Sequence, residues 1–256
     1  MDLASRLSGR SVLVTGASSG LGAHFATIAA RSGARVAVAA RRHDLLEGLL
    51  AELSEAGAAE AMAVELDVTS EESIEACCDT VFQAFGDLNV LVNNAGIATE
   101  GWAIDQSATD FDNVMGVNVR GVWLTAVAVA RRWRDAKAAG TVINIASILG
   151  DRVATGVAPY AVSKAGVIQM TKALALEWAR NGIRVNAIAP GYFATDINAD
   201  FFDSDAGQGM MKRIPMRRIG NLEELDGVFL LLATDASSFM TGGVIPVDGG
   251  HLVSSL

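Results

Sequence analysis

A chain of 256 residues that is 51% hydrophobic and only 19% charged has the composition of a compact fold with a doubly covered sheet, which excludes a disordered polymer. Its net charge of −9 and pI of about 4.8 repel phosphate backbones and anionic membranes, so no nucleic-acid or membrane partner is expected. The N-terminus lacks the apolar core of a signal peptide, no run reaches the roughly 18 apolar residues of a spanning helix, and the adjacent Cys77 and Cys78 suit reduced thiols, so a cytoplasmic protein is expected.

Short β-branched runs alternate with longer segments of helical period. Strands are expected at 11–15, 35–40, 61–66, 89–93, 141–146, 184–189 and 244–247, most of them apolar on both faces. Helices are expected near 21–32, 44–56, 70–85, 107–135, 159–180 and 221–234. Thr69 or Ser70 before Glu71-Glu72, and Asn221 before Glu223-Glu224, are suitable helix starts. Strict alternation predicts an α/β fold: a Rossmann-like, doubly wound parallel sheet of about seven strands with helices on both faces. With no linker or repeat, residues 1–256 read as a single domain whose irregular segment, about 190–215, is a substrate lid.

The first strand runs into Thr15-Gly16-Ala17-Ser18-Ser19-Gly20-Leu21-Gly22 and then a helix. Glycines there permit a tight turn and close backbone approach, so a pyrophosphate can sit against the unpaired N–H groups of the helix start. The second strand ends at Ala40-Arg41-Arg42, where an acid would bind the ribose hydroxyls of NAD and Arg offers a fork for a 2′-phosphate. NADP(H) is therefore preferred, with NAD(H) as the other possibility. A solvated basic helix start is the plainer reading of the same residues. Further on, a buried strand ends at Ser147, and Tyr160 and Lys164 follow, four residues apart on one helical face, so that a phenol and an ammonium can share a hydrogen-bond site.

With Asn93-Asn94-Ala95-Gly96 added, the chain resembles the short-chain dehydrogenase/reductase family over essentially its full length. The matching residues are the turn at 15–22, Asp67-Val68, residues 93–96, Asn118, Ser147, Tyr160-x-x-x-Lys164, and Pro190-Gly191 continuing to Thr195. The resemblance implies that Asp67 and Val68 contact adenine, that Asn94 and Gly96 line the adenosine side, and that Phe193 and Thr195 meet the nicotinamide end. Taken alone, Asp67 reads as a strand-end or capping residue. Two positions depart from the family pattern: Asn89 stands where an Asp is frequent, and Ser19 where NADP-preferring relatives often carry a basic residue.

The implied chemistry interconverts a ketone and a secondary alcohol. Tyr160 acts as general acid/base, its pKa lowered by Lys164 and the nicotinamide ring; Ser147 bonds the substrate oxygen, Lys164 holds the nicotinamide ribose, and Asn118 completes a water-linked relay. No Cys/His spacing suggests a metal, and the cofactor carries the redox step. The substrate pocket is expected from 148–158, 98–104 with Trp102, Tyr192 and Phe193, and the lid residues Phe201, Phe202, Met210 and Met211. These favour a medium-sized apolar or cyclic small molecule. The alternatives are a 3-oxoacyl thioester reductase, for which Arg131 and Arg132 could dock an acidic carrier, a gluconate-type 5-keto reductase, and a catalytically idle dinucleotide sensor or scaffold. Similar proteins are commonly homotetramers, with a dimer as the other possibility; the helices 107–135 and 159–180 are the candidate contacts.

Overall fold

Side chains of the central strand β1 (Ser11–Thr15) alternate between two apolar layers, and the fold is organised by that alternation. Val12 and Val14 join Phe25, Leu46, Leu53 and Phe229 on one face; Leu13 joins Ile74, Val81, Val129 and Trp133 on the other. A computed structural model describes residues 3–194, 202 and 204–254. Around β1 stand β2 (Arg35–Ala40), β3 (Glu60–Glu65), β4 (Val90–Asn93), β5 (Gly140–Ile145), β6 (Ile183–Pro190) and β7 (Val244–Val247), in the order β3-β2-β1-β4-β5-β6-β7, all parallel. Every expected strand lies within one residue of its predicted bounds. The two edge strands differ in burial: β3 and β7 are mostly half-exposed, because each has a neighbour on one side only.

Helices α1 (Gly20–Arg31), α2 (His43–Ala56) and α8 (Asp226–Ala233) cover the first face; α3 (Glu71–Phe85), α5 (Val122–Ala136) and α6 (Ala158–Trp178) cover the second. Ser70 caps α3 by accepting from the Ser73 N–H at 3.2 Å. Asn221 and Glu224 form a capping box, but on a 3-10 turn, Leu222–Leu225, so the helix expected from 221 begins at Asp226. A short helix, α7 (Asp205–Met211), stands in the segment read as irregular; Ser204 caps it through the Gly207 N–H at 3.2 Å.

The helix expected over 107–135 is not uniform. It runs as α4 (Ala108–Met115), a π-helical turn at Gly116–Gly121, and α5. Where it passes Val68 a side chain at Gly121 would come within 2.9 Å of the Val68 carbonyl oxygen. By length and composition alone these 29 residues could cross a membrane, contrary to the expectation that no stretch would pass such a test. Half of that window is buried inside the fold, where Ala126, Val129 and Trp133 pack in the second apolar layer.

Strand order reverses between β1 and β4, whose neighbours lead away in opposite directions. In an open parallel sheet the loops beyond the strand ends part at this point, leaving a crevice.

Candidate functional site

The crevice is a cleft of about 580 Å³ across the carboxyl ends of the central strands. Its first wall is the turn after β1. Gly16 adopts φ +65°, and a side chain there would come within 2.7 Å of Ala95 Cα, so only glycine lets the two loops touch. Asn94 holds them together, its Nδ2 donating to the carbonyls of Thr15 at 3.0 Å and Gly16 at 3.1 Å. Ser19 precedes α1 in extended conformation and its side chain caps no N–H, so the first-turn donors of α1 remain available to an anion.

At the end of β2, Arg42 donates to Ser18 Oγ at 2.9 Å and Ser19 Oγ at 3.3 Å, while Arg41 is exposed. Neither arginine has a carboxylate partner among the described residues. Asp67 Oδ1 accepts from the Thr69 N–H at 2.9 Å and Thr69 Oγ1 at 2.7 Å, the capping role its position suggested, and these bonds together with nearby Arg41 hold its carboxyl below the usual range. Asp67 nevertheless lines the cleft. Asn89 Oδ1 accepts from the Ser11 N–H at 2.8 Å and serves strand registration, far from any chemistry.

The opposite wall carries the hydroxyl, phenol and ammonium. Ser147 leaves β5 extended and accepts from the Leu149 N–H at 3.1 Å, which starts the turn Ile148–Gly150. Gly150 lies against α6, where a side chain would come within 2.9 Å of the Lys164 carbonyl oxygen; the missing Cβ lets the turn press onto the helix. Ser147 thereby becomes a hydrogen-bond partner of Tyr160. Lys164 is buried, its Nζ donating to the Ile145 carbonyl at 2.7 Å and lying 5.5 Å from the centroid of the Tyr160 ring. Asn118, in the π turn, exchanges two 2.8 Å bonds with the Ile97 backbone and gives 3.0 Å to Ser163 Oγ.

Burial pushes the Tyr160 phenol above its ordinary range, and the Ser147 bond pulls only part of the way back. The lowered phenol expected from the sequence is therefore not produced by the protein's own groups; Lys164, near the ring, is itself desolvated, and burial brings its pKa down to about 8.

Of the predicted residues, Gly16, Ser18, Ser19, Gly20, Leu21, Arg41, Arg42, Asp67, Val68, Asn94, Gly96, Ser147, Tyr160, Lys164, Pro190 and Gly191 all line this one cleft. Three stand elsewhere. Gly22 is behind the turn, where a side chain would meet the Gly16 carbonyl at 2.4 Å; Asn118 is fully buried behind Gly96; and Phe193 lines a smaller, separate cavity of about 200 Å³ with Tyr192 and Asp248. Thr195 and Phe201 lie outside the described residues. Leu66, Ile97, Val117, Ile145 and Ala146 also line the cleft and were missed. Apolar residues at strand and loop ends carry no chemical signal; only their place beside the topological switch marks them.

A sequence model of the family described as enoyl-(acyl carrier protein) reductase matches residues 16–251. The chain belongs to the short-chain dehydrogenase/reductase family. It is a nicotinamide-dependent oxidoreductase acting on CH–OH groups, interconverting ketone and alcohol. Among relatives, a gluconate 5-dehydrogenase of Gluconobacter oxydans is 36% identical over 97% of this chain and 96% of its own length. A 3β-hydroxysteroid dehydrogenase of Eggerthella lenta is 40% identical over 95% and 94%. Among solved structures, a gluconate 5-dehydrogenase from Burkholderia cenocepacia, in complex with NADP and tartrate, superposes with a TM-score of 0.92 at 33% identity, covering 99% of this chain and 100% of that one.

Proposed function

We propose that this oxidoreductase prefers NADP(H) and uses Tyr160 as its general acid/base. The observation that carries the reading is the meeting of Ser147, Tyr160 and Lys164 on one wall of a cleft whose far end holds two arginines that form no ion pair among the described residues. The cleft suits a dinucleotide: the open first turn of α1 faces pyrophosphate, Arg41 and Arg42 face a 2′-phosphate, and Asp67 and Val68 flank the adenine. NADP in the Burkholderia relative supports the same preference. When bound, the nicotinamide supplies or accepts the hydride.

The remaining work belongs to the protein. Tyr160, kept protonated by burial, delivers its proton to the substrate oxygen during reduction. Ser147 accepts from Leu149, which turns its own proton toward that oxygen and stabilises the charge developing there. Lys164 gives one donor to Ile145 and keeps others beside Gly96 for the ribose hydroxyls. Asn118 is a positioning residue: its paired bonds to Ile97 fix the loop that faces Lys164, and a water held there would link the lysine to solvent.

Residues 1–256 are taken as one domain with 190–215 as its lid. Free, buried Cys77 and Cys78 suit a reducing cytoplasm. Trp123 on α5 and Val162 on α6 are exposed apolar residues on the helices expected to pair, which supports a homotetramer. The test is absorbance of the reduced nicotinamide with NADPH and NADH against cyclic ketones, 3-oxoacyl thioesters and 5-keto sugar acids. Faster turnover with NADPH is expected; a preference for NADH would remove Arg41 and Arg42 from phosphate binding.

A further inference from the structure

Beyond Tyr160, not every residue expected to line an apolar pocket turns inward. Trp102, Ile104 and Val153 stand out in solvent, and a polar group drawn from three separate segments lies farther in. Arg152 follows the Ser147 turn, Tyr192 follows β6, and His251 belongs to the C-terminal turn His251–Val253. Arg152 Nη1 donates to the His251 carbonyl and, at 2.8 Å, to Ser254 Oγ, which fastens the tail to the loop. The His251 ring lies on Tyr192 with 5.6 Å between centroids. Tyr192 in turn directly follows Pro190 and Gly191, which line the cleft together with Ser147 and Tyr160.

This group has unused recognition capacity. Both Arg152 bonds leave from one nitrogen, so Nη2 and Nε stay available, and no carboxylate among the described residues pairs with Arg152 or with nearby Arg213. By contrast Arg10, Arg35, Arg120, Arg132 and Arg218 all have acidic partners. Of the acids near Tyr192, Glu224 is paired with Arg218, and Asp248 accepts from the N–H groups of Gly250 at 2.9 Å and Leu252 at 2.6 Å. His251 Nδ1 is buried without a hydrogen-bond partner, a cost that a ligand oxygen would relieve.

We propose that Arg152, Tyr192 and His251 form a subsite for a carboxylate carried by the carbonyl substrate, which makes keto acids and the matching hydroxy acids the substrate class. The proposal rests on the reading of Tyr160 as acid/base in ketone reduction. A guanidinium fork takes the two oxygens of a carboxylate side by side, and the phenol and imidazole supply further polar contacts. Burial and the charge of Arg152 hold the His251 imidazole below its ordinary range, with Asp248 opposing, so the ring meets the ligand neutral at pH 7. In a chain of net charge −9, a guanidinium with no ion pair among the described residues, in the loop that follows Ser147, also selects for anions locally.

The test compares NADPH-dependent reduction of 4-oxopentanoate with that of its methyl ester, which keeps the ketone and loses the charge. The wild type is expected to favour the acid in kcat/KM, and Arg152→Gln to lower the acid-to-ester ratio about 30-fold, the weight of one charged hydrogen-bonded pair. His251→Gln should lower it less, and Arg152→Lys should recover part of it, which a merely structural role in holding the tail would not do. Equal kcat/KM for acid and ester in the wild type, or an unchanged ratio in Arg152→Gln, would overturn the subsite. Failure of the underlying reading is distinguishable: neither compound would be reduced. Saturation-transfer NMR of pentanoate against pentanamide then still decides the subsite, since binding of pentanoate alone, lost in Arg152→Gln, supports it and equal signals refute it.

Discussion

At the adenosine end of the cleft, the groups that face the cofactor sit in a few short stretches: the turn at 15–22, the arginines ending β2, and Asp67-Val68 after β3. Each is held by local bonds, such as Arg42 to Ser18 and Asp67 to Thr69, and glycines bring backbone against backbone. At the substrate end, Arg152, Tyr192 and His251 come from segments about 40 and 60 residues apart in sequence and are fastened by side chains. Both ends present arginines that form no ion pair among the described residues. The difference is that the first end is a rigid receptor for an invariant molecule, whereas the second can be re-specified by changing one loop or the tail. Between them stand Ser147, Tyr160 and Lys164, the residues proposed to carry the reaction.

The sharpest break in that division should come at its centre. Tyr160→Phe is expected to lower kcat by about 10³-fold or more, in the range of a lost general acid, while NADPH binding measured by fluorescence persists. An equal loss of cofactor binding would mean that Tyr160 belongs to the receptor instead. Next in size, Gly22→Ala forces a methyl against the Gly16 carbonyl and should cost about 1–3 kcal/mol in denaturant unfolding, with weaker NADPH binding as the turn shifts. The acid-to-ester ratio should stay as in the wild type if the two ends are independent. Arg41→Ala should raise the KM for NADPH about tenfold and leave that for NADH nearly unchanged, as expected for one charge-assisted contact. Equal effects on both would reduce Arg41 to a solvated surface charge.

The smallest effect is a pH dependence of stability. Lys164 is pushed down to about 8 in the fold, so between that pH and its ordinary value the unfolded chain holds a proton that the folded chain has released. Stability from this group therefore rises with pH across about 8 to 10, by at most about 1.4 kcal/mol per pH unit. Tyr160, raised by burial, acts only above about 10 and with the opposite sign. Melting temperatures of Lys164→Met and the wild type should converge over pH 8 to 10; a constant gap would show that the ammonium is better solvated than its position between Ile145 and Gly96 implies.

The sequence alone determined the parallel sheet, the strand bounds to within a residue, the glycine turn, and the Ser147, Tyr160 and Lys164 constellation, because periodicity and short-range spacing act through local backbone geometry. Asp67 as a capping residue was equally legible, since an acid two residues before a Thr N–H forms its bond locally. Only the tertiary structure decided the π turn that sinks Asn118 into contact with Ile97, the placement of Gly22 and Phe193 off the cleft, and the direction of the Tyr160 shift. It alone brought Arg152 to the His251 tail. Those features depend on which distant segments meet and how far each group is desolvated, and neither quantity is encoded in any local stretch of chain.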